Sequence, residues 1–280
     1  MGCKINLVNG NIITLDESCP SADTISLENG KIAGINAIDH NHKSIDLQGA
    51  TVIPGFTDSH FHLTNLGKQL DTLQLKDCRS PREVAEKVLK KSAKMSHNDW
   101  IIGFGWDHNK WHEPNFPKAD ILNSLPISQP IMLNRIDGHS AWVNQKAMEL
   151  SGLNVTPTPP DGGDIINDCI LIDNAMNPVQ FVMPKPDETI VKKWIKLALE
   201  IIITRGITNI HDAWQDPITV KVLQQLSEEG KLPIRIYGML GSSHPKLLKH
   251  FFKEGIFRSE KYTIRSVKAF IDGALGSRGA

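Results

Sequence analysis

The stretch VIPGFTDSHFHL, residues 52–63, ends an apolar run on two histidines that are separated by a single position. Residues two apart in a β-strand point to the same side, so His60 and His62 should project together from one strand end. Two imidazoles in that arrangement can bind one metal ion, and the carboxyl end of a barrel strand is where such sites lie. The spacing alone also fits two surface histidines at a strand–loop junction.

Composition narrows the class of protein. The 280 residues contain 31 Lys plus Arg and 31 Asp plus Glu, and this charge balance excludes a generally basic nucleic-acid binder. A hydrophobic fraction of 40% with 22% charged residues is typical of globular proteins, and no apolar run is long enough to cross a membrane. We therefore expect a cytoplasmic protein with no nucleic-acid or membrane partner. The cysteines are widely spaced and fit reduced thiols (Cys3, Cys19, Cys78 and Cys169).

The first part of the chain divides into three segments by pattern. Residues 1–50 have the pattern of short strands, with hairpin turns predicted at Asn9-Gly10 and Asn29-Gly30, so we expect a β-sandwich portion. Residues 51–65 hold the strand and the histidine pair. Residues 66–186 are irregular and rich in proline, which predicts an inserted α+β subdomain.

Within this insertion, a helix is predicted to begin at Ser80, because Ser80 can cap it and Glu83 completes a capping box. A buried strand is expected over residues 100–106, and a short helix near 141–150. From 187 to 280, strands alternate with helices: the strands are predicted in GITNIHDA, LPIRIYGML and IRSVKAFIDGAL. That alternation indicates βα units around a parallel sheet, and hence an α/β fold.

These strands resemble, in order, the first four barrel strands of the metal-dependent amidohydrolase superfamily. The motifs GWDHNKW and DGHSAWVN resemble the long amidohydrolase branch that includes N-substituted formamide deformylases. The resemblance implies a (β/α)8 TIM barrel, here truncated to about the first four βα units, with an N-terminal β-sandwich portion and an inserted α+β subdomain. The four matching stretches are residues 52–63, 206–212, 232–237 and 267–278.

The resemblance also implies a ligand set. His60 and His62 would bind a divalent metal, zinc by preference, as one or two ions. Lys268, on the fourth strand, would be carbamylated and bridge the metals; its alternative is a structural lysine that extends its amine to solvent. The family's two later histidines and its general-base aspartate would lie beyond residue 280. We therefore expect this sequence to be an N-terminal fragment.

Further positions are weaker candidates for the substrate pocket. Three tryptophans within residues 100–111 suggest an aromatic wall over a pocket, with the core of the inserted segment as the alternative. A histidine and an aspartate close the strand GITNI, and polar residues that merely end a strand would look the same. The candidate pocket residues are Trp106, Asp107, His139, His211 and Asp272.

The function that this resemblance implies is a metal-dependent hydrolase of non-peptide carbon–nitrogen bonds. Its substrate would be a small amide, formamide or cyclic amide, attacked by a metal-activated water. Two alternatives stay open: a related metallo-deaminase, and an inactive half-barrel that binds metal weakly or pairs with another chain. Because a half-barrel leaves sheet edges open, a homo-oligomer is also an expectation that the sequence leaves open.

Overall fold

The computed structural model describes residues 4–153 and 158–271. Its N-terminal strands form two small sheets with the orders β5-β4-β1-β6 and β3-β2-β7, which share a core around Ile12, Ala22 and Ile25. The strands are β1 (Lys4–Val8), β2 (Asn11–Ile13), β3 (Ser21–Ala22), β4 (Ile25–Glu28), β5 (Lys31–Ile35), β6 (Lys43–Asp46) and β7 (Thr51–Val52).

One of the two predicted hairpins is confirmed and the other is wrong. Asn29 and Gly30 have positive φ and join β4 to β5 as an antiparallel pair. The strands on either side of Asn9-Gly10 enter different sheets, because β1 pairs with β4 and β6 while β2 pairs with β3 and β7. A β-carbon on Gly10 would overlap the side chain of Leu47, so this glycine serves a close approach between segments.

The strand that carries the histidine pair, β8 (Phe56–Phe61), leads directly into helix α1 (Leu63–Asp71). A six-stranded sheet follows, with the order β13-β14-β12-β11-β10-β9. Its elements are β9 (Leu73–Gln74), α2 (Pro81–Ser92), β10 (Ile101–Trp106), α3 (Ala119–Asn123), β11 (Ile131–Arg135), β12 (Ser140–Val143), α4 (Gln145–Ser151), β13 (Gly163–Ile166), β14 (Ile170–Asp173) and α5 (Asn177–Val182), with short 3-10 helices at His108–Lys110 and Asn174–Met176.

Local signals in this segment behave as the sequence predicts, with one exception. The Ser80 hydroxyl accepts the backbone N–H of Glu83 at 3.2 Å, so the predicted start of α2 is confirmed. Strand β10 confirms the prediction for residues 100–106. The helix expected near 141–150 starts later: the first part of that range is β12, and α4 begins only after Asn144, whose side chain caps it.

The five-stranded sheet contains four neighbouring parallel strands in chain order, β8-β15-β16-β18. Strand β17 is antiparallel and lies at one edge. The elements are α6 (Glu188–Thr204), β15 (Ile207–Gln215), α7 (Pro217–Glu228), β16 (Arg235–Gly241), α8 (Pro245–Glu254), β17 (Phe257–Arg258) and β18 (Tyr262–Lys268). The predicted α/β fold with a parallel sheet is confirmed here; closure into an eight-stranded barrel stays a prediction. Strand β18 ends at Lys268, and the predicted strand residues from 272 onward lie outside the described residues.

Helix α1 is held tightly against α6, and this contact fixes the segment after the histidines. Gly67 in α1 faces the backbone of α6, and a β-carbon there would overlap the carbonyl oxygen of Trp194. The Asp71 carboxylate, at the end of α1, accepts the Trp194 indole N–H at 3.1 Å and the Lys193 ammonium at 2.5 Å. In the described parts of the chain, no helix has the length and apolarity needed to cross a membrane.

Candidate metal centre

His60 and His62 lie side by side at the carboxyl end of β8. Phe61, between them, packs against the core between the sheet and its helices, while His60 is the penultimate residue of β8 and His62 is the cap residue of α1. Their ring centroids are 5.2 Å apart and their planes are 78° from parallel. Two imidazoles that bind one tetrahedral zinc at about 2.0–2.1 Å have centroids roughly 5 Å apart. The spacing of the pair therefore fits a shared ion.

The electrostatic surroundings keep His62 in the form that a metal requires. Partial burial lowers the pKa of His62, and the nearby charges of His60 and Lys268 lower it further. A metal binds only the neutral imidazole, so a depressed pKa reduces the competition from protons. The backbone N–H of His60 donates to the Asp58 carboxylate at 3.0 Å, which fixes the strand end from which both rings project.

Lys268 ends β18, at the other end of the set of parallel strands from the histidine pair. It lies opposite Gly241 in the ladder, one step beyond Leu240, whose side chain is buried in the outer core. Its ammonium lies 5.3 Å from the centroid of the Phe270 ring, and its charge acts on His62.

Among residues 4–153 and 158–271, no group of three His, Cys, Asp or Glu side chains could hold a metal ion. In the described chain the two histidines by themselves offer two candidate ligands. An unmodified ammonium has no lone pair to offer a cation, so Lys268 could join them only after it is converted to a carbamate.

The other pocket candidates are scattered. Trp106 is fully buried, donates its indole N–H to the carbonyl oxygen of Leu133 at 2.7 Å, and packs against Trp111 and Trp142. The structure thus puts this cluster in a core, the alternative to an aromatic wall over a pocket, and Trp106 cannot contact a substrate there. Asp107 accepts a hydrogen bond from Arg135 at 3.2 Å.

The candidate histidines in the two sheets are also apart from each other. His139, with a side chain that is 77% exposed, places Nδ1 2.9 Å from the carboxylate of Asp173. His211, on β15, lines a cavity of about 280 Å³ with Tyr237, whose ring centroid lies 5.0 Å away. Asp272 lies outside the described residues. Among the described candidates, His60 and His62 are a pair whose rings lie close together.

Two residues near the strand ends were not among the candidates for the site: Asp212, which the sequence showed only as a polar residue closing a strand, and Trp214. Asp212 is 1% exposed, and its burial raises the pKa of the carboxyl to about 6. In the sequence, Asp212 is a charged residue two positions after Ile210, so in a strand it falls on the same face as that apolar side chain. Trp214 has a φ of 143° at a bulge in β15, and its indole lies 2.7 Å from where a β-carbon on Gly241 would be. No local pattern signals that bulge.

Comparison with known proteins decides the family. A model described as the amidohydrolase family matches residues 43–280. The chain belongs to the amidohydrolase family. It is 26% identical to YtcJ of Bacillus subtilis (strain 168), an amidohydrolase by name, over 97% of this chain and 54% of YtcJ. It is 22% identical to the N-substituted formamide deformylase of Arthrobacter pascens, over 97% of this chain and 55% of that enzyme.

A solved structure agrees with this assignment. A metal-dependent hydrolase from Pyrococcus furiosus superposes on this amidohydrolase chain with a TM-score of 0.78 at 26% sequence identity, covering 99% of this chain and 58% of that one. The chain spans about half the length of the curated relatives it matches. The predicted resemblance to the amidohydrolases, over their N-terminal part, is thereby confirmed.

Proposed function

We propose that this chain forms the N-terminal part of a metal-dependent hydrolase that cleaves non-peptide carbon–nitrogen bonds in small amides. The observation that carries the proposal is the histidine pair, with ring centroids 5.2 Å apart at the carboxyl end of the first parallel strand. Active sites of parallel barrels lie at that end of the strands. The relative named as an N-substituted formamide deformylase supports formamides as the substrate class to test first.

In this proposal His60, His62 and a carbamylated Lys268 hold one or two divalent ions, with zinc as the preferred metal. When bound, the metal supplies a lowered pKa for a coordinated water and polarises the substrate carbonyl. The chain's own contribution is orientation and proton exclusion: the end of β8 holds the two imidazoles side by side, and burial favours the neutral form of His62. The remaining ligands and the general-base aspartate belong, in this proposal, to the part of the relatives that this chain does not match.

The first test is metal content. Zinc in the purified protein, measured by mass spectrometry, should fall to background in His60→Ala and in His62→Ala. His250→Ala is the matched control, because His250 is an exposed histidine on α8 away from the pair. Equal zinc content in all four proteins would refute the ligand assignment.

The second test is turnover on four compounds: an N-substituted formamide, a linear amide, a cyclic amide and an amino-substituted heterocycle. When the remaining ligands and the general base are supplied by the rest of a full-length protein, release of formate and amine from the formamide is the expected outcome. Release of ammonia from the heterocycle alone would favour the metallo-deaminase. Bound zinc with no turnover of any compound would favour the non-catalytic half-barrel.

A further inference from the structure

Three buried polar side chains connect strand β18 to the start of helix α1. The Tyr262 hydroxyl donates to Oε1 of Gln215 at 2.6 Å, and Nε2 of Gln215 donates to Oδ2 of Asp212 at 2.9 Å. Oδ1 of Asp212 accepts the backbone N–H of Leu63, also at 2.9 Å. All three side chains are at most 1% exposed, so each hydrogen bond replaces water that cannot reach them.

Helix α1 needs this acceptor because its own cap position is occupied by a histidine. The first N–H groups of a helix have no partner inside the helix, and a Ser or Asp side chain usually accepts one of them. Helix α6 uses Asp187 and helix α7 uses Asp216 in this way. The cap residue of α1 is His62, and its side chain makes no such bond. The missing acceptor comes from β15, in Asp212.

Strand β16, which lies between β15 and β18, leaves space for these hydrogen bonds. A β-carbon on Gly238 of β16 would overlap the amide group of Gln215. Glycine at this position therefore lets the Gln215 side chain cross the face of β16 to reach Tyr262. The Tyr262 hydroxyl donates to the amide oxygen, which turns the amide nitrogen toward Asp212. Both oxygens of Asp212 therefore act as acceptors, and one of them is reserved for Leu63.

We propose that Asp212, oriented by Gln215 and Tyr262, is a positioning residue for the metal centre. By fixing the N–H of Leu63, it fixes the first turn of α1 and with it the direction of the adjacent His62 ring. This leaves the His62 imidazole free to face the ion while a carboxylate from another strand caps the helix. The inference rests on the proposed function, because it takes His62 to be a metal ligand.

The test compares zinc affinity and thermal stability in the same purified protein. In Asp212→Asn, the new amide N–H would face the Nε2 N–H of Gln215, so the side chain could no longer serve both neighbours. The control is Asp216→Ala, since Oδ1 of Asp216 caps α7 by accepting the N–H of Thr219 at 2.7 Å. Both variants weaken a carboxylate cap, but only one of these caps adjoins the histidine pair.

We expect Asp212→Asn to weaken zinc binding about 10- to 100-fold, as is typical when a group that orients a metal ligand is lost. Asp216→Ala should lower the melting temperature yet leave zinc affinity within about twofold. Tyr262→Phe keeps the ring in the core and removes only the donor, so it should weaken zinc binding with a smaller loss of stability. This milder variant carries the test if Asp212→Asn does not fold.

Two outcomes separate this inference from the proposed function. If His62→Ala abolishes zinc binding while Asp212→Asn and Tyr262→Phe bind zinc like the unmodified protein, the positioning role is refuted and the proposed function survives. If His62→Ala binds zinc like the unmodified protein, the ligand assignment fails, and the positioning role fails with it. Equal losses of zinc affinity in Asp212→Asn and Asp216→Ala would also overturn the inference, since they would reflect stability alone.

Discussion

The buried carboxyl of Asp212 should give the folding stability of this protein a distinct dependence on pH. Burial raises its pKa from the ordinary value of 3.8 to about 6, and the hydrogen bonds from Leu63 and Gln215 oppose that rise only in part. The folded chain therefore binds this proton more tightly than the unfolded chain does. The resulting stabilisation is fully present below about pH 3.8 and is lost as the pH rises through about 6.

The size of the effect follows from the difference between the two pKa values. One pKa unit corresponds to about 1.4 kcal/mol, so the full difference is about 3 kcal/mol. Between about pH 7.5 and about pH 4.5 the linkage relation gives about 2 kcal/mol of added stability from this one group. Exposed carboxylates with lowered pKa values act in the opposite direction, among them Asp39, Glu28 and Glu229.

The assay isolates Asp212 by difference. The free energy of unfolding in urea is measured at a series of pH values, with a chelator present, for the unmodified protein and for Asp212→Asn, which cannot titrate at this position. The stability of the unmodified protein relative to the variant should increase by about 2 kcal/mol as the pH falls from about 7.5 to about 4.5. A difference that is flat with pH, or that shrinks on acidification, would refute the assignment of a raised pKa to Asp212.

Three further substitutions test the packing and the metal motif. Gly67→Ala should lower the free energy of unfolding, measured in urea, by about 1–3 kcal/mol, because its β-carbon would overlap the backbone of Trp194. A more stable variant would contradict the tight α1–α6 contact. Trp106→Ala should cost about 3–5 kcal/mol and Trp106→Phe less, since the ring is fully buried; a loss under about 1 kcal/mol in both would place the ring outside the core. Lys268→Ala should lose bound zinc, Lys268→Arg should not restore it, and a short carboxylic acid should restore part of it; full zinc content in Lys268→Ala would remove this lysine from the ligand set.

The features that were predictable from sequence depend on neighbours along the chain. The Ser80 cap is decided within four residues, and the turn at Asn29-Gly30 needs only two residues with positive φ. That His60 and His62 lie side by side needs only their separation by one residue at the end of a strand. The parallel sheet follows from strands that alternate with amphipathic helices, because parallel neighbours require a crossover. For these features the relevant energies are local, so the sequence by itself determined them.

Only the tertiary structure decided the features that depend on partners far along the chain. Asn9-Gly10 has the same local signal as the confirmed turn, but β1 gains more distant partners in β4 and β6 and no hairpin forms. Asp212 caps a helix whose first residue lies 149 positions earlier. No periodicity in the sequence could predict that contact. It depends on the buried carboxylate of Asp212 lying next to the start of α1, where the helix has no side-chain acceptor of its own. Whether Lys268 reaches His62 likewise depends on how four strands curve together, which no single strand encodes.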